Sequence, residues 1–146
     1  MISVVVPVHN GMPWLEDQLE ALASQQCPHS WEVIIADNGS TDRSRAFAGH
    51  FAGAHDNFQL IDASVVKGAP AARNAGVKAA RGDLLVFCDA DDVVQPGWLN
   101  SFAKRLQDVD VVAGVFDFWS LNGLRISPDQ PASMRQLGFL PAGLGA

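Results

Sequence analysis

Three carboxylates stand within four positions at Asp89-Ala90-Asp91-Asp92, directly after the apolar run Leu84-Leu85-Val86-Phe87-Cys88. An apolar run of that length predicts a strand buried on both faces. Acids crowded at the mouth of a core are costly unless a cation sits among them. In an extended segment Asp89 and Asp91, two apart, point to the same side. Such a pair can hold a hard divalent cation, Mg2+ or Mn2+, which prefers oxygen ligands and often shares its shell with phosphates. The competing reading is an acidic turn in which Asp92 caps the following helix. The three acids alone give the two readings equal weight.

The surrounding elements decide between them. Ile2 to Val8 is β-branched and apolar, a buried strand with Pro7 at its end, where a missing ladder donor matters least. A turn at His9-Asn10-Gly11 leads to a helix opened by Pro13, striped by Leu15, Leu19 and Leu22 and stopped by Pro28. Trp31 to Ala36 is a second strand, ending in Asp37-Asn38-Gly39-Ser40-Thr41-Asp42. Ser40 or Thr41 is expected to cap the next helix, whose core face is Phe47 and Phe51 and whose end is Gly53. Phe58 to Ile61 is a short third strand. Gly68-Ala69-Pro70 opens a helix made small-sided by Ala71, Ala72, Ala75, Gly76 and Ala79, with Gly82 placed to end it. Pro96 starts a helix with Trp98, Leu99, Phe102 and Leu106 as its apolar face. Val109 to Phe118 reads as strand, and Asn122-Gly123 as a hairpin turn.

Strands alternating with helices imply an α/β fold with a mostly parallel sheet. Ligands in such sheets bind outside the carboxyl ends of the strands. Pro7-Val8-His9-Asn10, Asp37-Asn38 and Asp89 to Asp92 all fall there, and this coincidence favours a site over an acidic turn.

Composition narrows what the site can take. The chain has 146 residues, and 48% of them are hydrophobic, which suits one domain with a real core. A net charge of −6 argues against a nucleic-acid partner, since phosphate backbones need clustered Lys and Arg. A nucleotide diphosphate stays open, because a bound metal can supply positive charge. Cys27 and Cys88 are expected to be reduced thiols. With neither a membrane-length apolar run nor a leader before the first strand, the expected location is cytoplasmic or membrane-peripheral, any membrane attachment coming through regions outside this chain.

These residues resemble the family 2 glycosyltransferases, whose fold is GT-A, a Rossmann-like architecture of the nucleotide-diphospho-sugar transferase type. Ser3-Val4-Val5-Val6-Pro7-Val8-His9-Asn10 is similar to the family's opening strand. Glu32 to Asp42 is similar to its second, where two acids commonly stand at the positions of Asp37 and Asn38. Gly68, Ala72-Arg73-Asn74-Ala75-Gly76 and Ala80-Arg81-Gly82-Asp83 match the approach to its metal strand. Phe87-Cys88-Asp89-Ala90-Asp91-Asp92 matches its DxD motif. The resemblance covers roughly residues 2 to 115, with four motifs in the right order.

The resemblance implies a metal-assisted, inverting transfer of a sugar from a nucleotide diphosphate, expected to be a UDP-sugar, to a hydroxyl of a glycan, lipid or small-molecule acceptor. It implies that Asp37 accepts the N–H of the base and that His9 with the main chain of Pro7 and Val8 lines it. Arg73, with Lys67 as a weaker candidate, would face the diphosphate, for which a guanidinium is suited. Asp89 and Asp91 would hold Mn2+ or Mg2+, with Asp89 and Ala90 also contacting the donor. Asp92 serves either the site or the Pro96 helix. His29, His50 and His55 are expected to be surface or packing residues, and the four Trp to pack in the core or on the acceptor side.

The family's general base stands well downstream of the DxD strand. Neither Asp108, Asp110, Asp117 nor Asp129 lies in the family's later motif, so the base is expected beyond Ala146. Residues 1–146 are therefore expected to be a single donor-binding half, cut at its C-terminus, able to bind donor without transferring sugar. Self-association through apolar surface near Phe116, Phe118 and Trp119 is a further expectation. The alternatives are a non-catalytic nucleotide-sugar-binding module and, ranked lower for want of a basic loop after the first strand, a nucleotidyltransferase.

Overall fold

The computed structural model describes residues 1–114. Strands and helices alternate as β1 (Ile2–Val8), α1 (Trp14–Ala23), β2 (Trp31–Asp37), α2 (Ser44–Ala54), β3 (Phe58–Asp62), α3 (Ala69–Ala79), β4 (Leu84–Phe87) and α4 (Trp98–Arg105). The sheet they form is parallel, in the order β3-β2-β1-β4. The chain divides into two compact units, 1–104 and 105–146. The sheet belongs to the first. Of the second, residues 105–114 are described, and they hold no strand. The strand expected from Val109 is thus absent as far as residue 114, with Val109 and Val111 exposed. The remainder of that expectation, Asp117, Trp119, the Asn122-Gly123 turn, Asp129 and the closing segment lie outside the described residues. Among the described residues no helix is long and apolar enough to cross a membrane.

The strand order sets where a ligand can bind. The chain leaves β1 to one side for β2 and β3, then returns to the other side for β4. With right-handed crossovers this puts α1 and α2 on one face and α3 on the other. The contacts agree. Gly49 of α2 lies against Leu60, and Phe51 of α2 packs edge-on to Phe58. Gly76 of α3 lies against Val5, so closely that a Cβ there would collide with the valine. The small side chains of α3 thus allow a close helix–sheet approach, and Ala72 joins Ala36 and Ala63 in a common cluster. The crevice between β1 and β4 is the switch point of the sheet, where ligands bind in open α/β folds.

β1 is buried along its whole length, as are Leu15, Leu19 and Leu22 of α1, each worth about 1.5–3 kcal/mol by burial. Pro7 falls where its missing N–H does no harm. Val5 accepts the N–H of Cys88, so Pro7, two residues on, faces the side where β4 has already ended.

Several expectations need correction. β4 is not buried on both faces. Leu85 and Phe87 share the face of Ser3 and Val5, and they are 37% and 41% exposed because α3 covers β1 and β2 instead. The strand stops at Phe87, and Asp89 to Asp92 form a turn, so the same-side rule of an extended segment does not apply to Asp89 and Asp91. Ser40 and Thr41 do not cap α2; the Asp42 carboxylate accepts the Ser44 N–H at 2.9 Å. α1 ends at Ala23, well before Pro28, and Gly53 lies inside α2. Phe47 is only half-buried, while Ser44 and Ala48 are the residues α2 buries. Gly82 does not terminate α3. It passes so close to Met1 and Ser3 that a side chain would meet their main chain.

Candidate functional site

The loops after β1 and β2 are fastened to each other. Asn10, at a positive φ of 53°, turns its side-chain oxygen to the N–H groups of Thr41 (2.8 Å) and Asp42 (3.3 Å). The Asn10 N–H donates to Ser40 Oγ. Ser44 Oγ, buried at the start of α2, accepts from both Gly11 (2.8 Å) and Met12 (3.2 Å). Sequence reasoning missed Asn10 and Ser44 in these roles; a turn asparagine and a serine at a helix start were the signals. His9 is exposed beside them, while Pro7 and Val8 are buried in β1.

Asp37 ends β2 with its side chain 1% exposed. One carboxylate oxygen accepts the Ser40 N–H at 3.3 Å, and the other takes the Arg45 guanidinium at 2.9 Å. Arg45 also reaches Asp62 at 3.3 Å. Burial of a carboxylate is tolerable because both oxygens are paired. Asn38 follows. Its amide donates to the carbonyls of Ala63 and Val66, and its oxygen accepts the Gly68 N–H at 2.8 Å. Lys67, exposed, donates to the Asn38 carbonyl at 3.3 Å and lies over Gly39. This places Lys67 at the β2 end of the crevice, away from β4, the side on which a diphosphate was expected to need it.

At the end of β4, Arg73 of α3 forms an ion pair with Asp89, each group partly exposed. Asp91 is exposed, and among the described residues neither it nor Asp92 forms an ion pair. Burial pushes the Asp92 carboxyl above its ordinary value, and the charges of Asp89 and Asp91 push it further. Burial likewise raises the Cys88 thiol far above the usual range, with Asp92 and Asp89 adding to the effect, so Cys88 is an inert packing residue. Ala90 is buried, its methyl turned toward Gly11. Among the described residues no three His, Cys, Asp or Glu are gathered closely enough to hold a metal by themselves. Asp37 ends β2 and Asp89 lies two residues past β4; β1 runs between these strands, so their axes are two strand spacings, roughly 10 Å, apart.

Comparison with known proteins bears on this arrangement. The profile described as Glycosyl transferase family 2 matches residues 3–142. The chain is 34% identical over 125 residues to glycosyltransferase AglE of Haloferax volcanii, covering 84% of this chain and 41% of that protein. It is 34% identical over 119 residues to the poly(ribitol-phosphate) beta-glucosyltransferase of Bacillus spizizenii, covering 77% of this chain and 18% of that one. Among solved structures, it is similar to S. aureus TarS 1-349 in complex with UDP-GlcNAc, with a TM-score of 0.65 and 28% identity over 73% of this chain and 31% of the other. It is also similar to the mannosyltransferase PcManGT from Pyrobaculum calidifontis in complex with GDP-Man and Mn2+, with a TM-score of 0.67 and 28% identity over 73% of this chain and 32% of the other. The chain thus spans well under half the length of these relatives.

Proposed function

The chain belongs to the family 2 glycosyltransferases, and we propose that residues 1–114 bind a nucleotide-diphosphate sugar across the carboxyl ends of β2, β1 and β4. The transfer itself, with inversion at the sugar carbon, would be the activity of the protein as a whole. The observation that carries this reading is the placement of polar groups on both sides of β1 at the switch point: Asp37 at the end of β2 and the Arg73–Asp89 pair just past the end of β4.

Roughly 10 Å between the axes of β2 and β4, with β4 ending level with Val5 and β2 level with Val8, leaves room for a base at Asp37 and a diphosphate near Asp89. Both oxygens of Asp37 already hold one donor each and the side chain is 1% exposed, so a ring N–H would reach a remaining lone pair where the Ser40 loop or Arg45 gives way. Uracil and guanine both present such an N–H beside a carbonyl. UDP is the preferred donor nucleotide, in keeping with the UDP-GlcNAc complex of TarS. His9, exposed at the end of β1, can stack on the base, while Pro7, Val8 and Ala90 would contribute main chain only, since their side chains are buried.

The donor set at Asp89 and Asp91 is carboxylate oxygen alone, which fits a hard divalent cation that takes its other ligands from water and phosphate. Two such side chains do not make a closed cage, so a metal would be held jointly by the protein and the diphosphate. Asp89 and Asp91 would hold Mn2+ or Mg2+, which when bound supplies positive charge against the departing diphosphate. Arg73 supplies a second, permanent positive charge at the same place. An acceptor hydroxyl must lose its proton during transfer, and no described residue is assigned as its base. Asp108 and Asp110 are exposed in the second unit.

One structural detail weighs against a nucleotidyltransferase. Such an enzyme needs donors in the loop after its first strand to cradle a triphosphate. Here the N–H groups of Asn10, Gly11 and Met12 are all committed to Ser40, Ser44 and Asp42.

The test is calorimetric titration of UDP and GDP into the wild type and Asp91→Ala, with and without Mn2+. Removal of a charged ligand should weaken Mn2+-dependent binding by about 1–3 kcal/mol, the scale of a charged hydrogen-bonding partner. Equal metal-dependent affinity in the two proteins would remove Asp91 from the site.

A further inference from the structure

Gln18 sits on α1, with no exposed surface, at a position the helical stripe of Leu15, Leu19 and Leu22 would assign to an apolar residue. A buried amide in that stripe is unfavourable unless its polar atoms are paired. Both are. Nε2 donates to the carbonyl of Asp89 at 3.1 Å, and Oε1 accepts the N–H of Val94 at 3.1 Å. The partners fix the orientation of the amide, because a carbonyl can only accept and an N–H can only donate. One side chain therefore bridges the two ends of the acidic turn from Asp89 to Val94.

Apart from the Arg73–Asp89 ion pair at its first residue, the turn has little else to hold it. Its own main-chain bond, from Asp92 N–H to Asp89 carbonyl, is long at 3.4 Å. Asp91 and Asp92 have no ion-pair partner among the described residues. Like charges so close repel one another and favour a looser loop. Seven residues on, just past the end of α1, Gln25 repeats the device on the next segment. Its amide donates to the carbonyl of Gln95 at 3.0 Å and accepts the N–H of Leu99 at 3.2 Å. α1 and the residues just past it thus hold the path from β4 to α4 at both ends through two buried glutamines.

We propose that Gln18 is a positioning residue for donor binding, which fixes the acidic turn so that Asp89 and Asp91 are presented together to a cation and a diphosphate. This role rests on the reading of the site as a metal-assisted nucleotide-sugar site. Gln18 touches neither ligand; it acts through the main chain of Asp89 and Val94.

The test compares the wild type with Gln18→Met, which keeps length and volume but removes both hydrogen bonds, and Gln18→Leu, which also removes both and suits the apolar stripe. Hydrogen exchange at the Val94 amide should accelerate about tenfold or more in Gln18→Met, the loss of roughly one net hydrogen bond, while amides of β1 and β2 keep their protection. The Mn2+-dependent gain in UDP affinity should fall by about tenfold in both variants, with metal-free UDP affinity unchanged. A gain retained in full by folded Gln18→Met overturns the positioning role alone. So does an equal loss of metal-free and metal-dependent affinity together with general loss of protection, because that is the signature of a merely structural residue. Absence of any Mn2+ effect in the wild type overturns the site reading and this role with it. Should Gln18→Met not fold, Gln18→Leu gives the same discrimination.

Discussion

The guanidinium of Arg73, in α3, is bonded to the carboxylate of Asp89, just past β4 and sixteen residues away in sequence. α3 can deliver it because Gly76 and Ala72 let the helix lie close on β1 and β2. Two groups expected to act separately on a donor are therefore bonded to each other. Arg73 offsets one of the acids that the end of β4 brings together.

Arg73→Ala is expected to weaken UDP by about 1.5–3 kcal/mol, the scale of a hydrogen bond to a charged group. Pyrophosphate should lose a similar amount, because the contact is with the phosphates. Arg73→Lys should recover only part of the loss, since an ammonium lacks the planar fork. Calorimetry with both ligands checks this. An unchanged UDP affinity in Arg73→Ala would mean that Arg73 serves only to neutralise Asp89.

At Asp37 the predicted signature is selective. Asp37→Asn keeps one acceptor oxygen but turns an NH2 group toward Arg45, so two donors would face each other. Stability should drop by about 1–3 kcal/mol, and UDP should be weakened more than pyrophosphate. Arg45→Gln is the control. It takes the guanidinium from a buried carboxylate, costing about 1–3 kcal/mol, yet keeps both Asp37 oxygens for a base. Equal loss of UDP affinity in the two variants would show that Asp37 acts through its pairing with α2 and not on the ligand.

Asn38→Asp restores the acid common in the family, and here it should be destabilising. The amide donates to the Ala63 and Val66 carbonyls, and a carboxylate cannot. Urea denaturation should show a loss of about 1–3 kcal/mol. A variant as stable as the wild type would mean that the loop from Ala63 to Gly68 re-forms without these bonds.

Glu32 ties the opposite, amino end of the sheet. Its buried carboxylate accepts from Ser3 Oγ at 2.7 Å and from the Arg81 N–H and Nε–H, each at 2.8 Å. Burial raises its pKa, but the bonds from Arg81 and Ser3 outweigh this and hold it below the ordinary 4.5. A depressed folded value means that Glu32 contributes stability above about pH 4.5, and that the contribution is lost as pH falls below that value. Glu32→Gln should lower stability at pH 7 by about 1–3 kcal/mol and flatten the decline between pH 5 and 3. Thermal unfolding across that range measures both. An acid limb identical to the wild type's would assign the decline to other carboxylates, such as Asp42 and Asp62, whose values are also depressed.

The sequence by itself determined the alternation of strands and helices, the parallel sheet and the alignment of three polar clusters with strand ends. These are local properties: β-branched runs, helical spacing of leucines and turn residues announce themselves within a few positions. The family motifs at Pro7–Asn10, Asp37–Asp42, Arg73–Gly76 and Asp89–Asp92 were legible for the same reason. Partnership was not. That Asp37 belongs to Arg45, Asp89 to Arg73 and Asn38 to the loop before α3 depends on the order β3-β2-β1-β4, which brings distant segments side by side. The exposure of Leu85 and Phe87 was hidden as well, because an apolar run does not say which neighbours cover it. Gln18 shows the limit most clearly. Within its helix it is one polar residue in an apolar stripe, and only the tertiary structure supplies the carbonyl of Asp89 and the N–H of Val94 that make an amide the residue suited to that position.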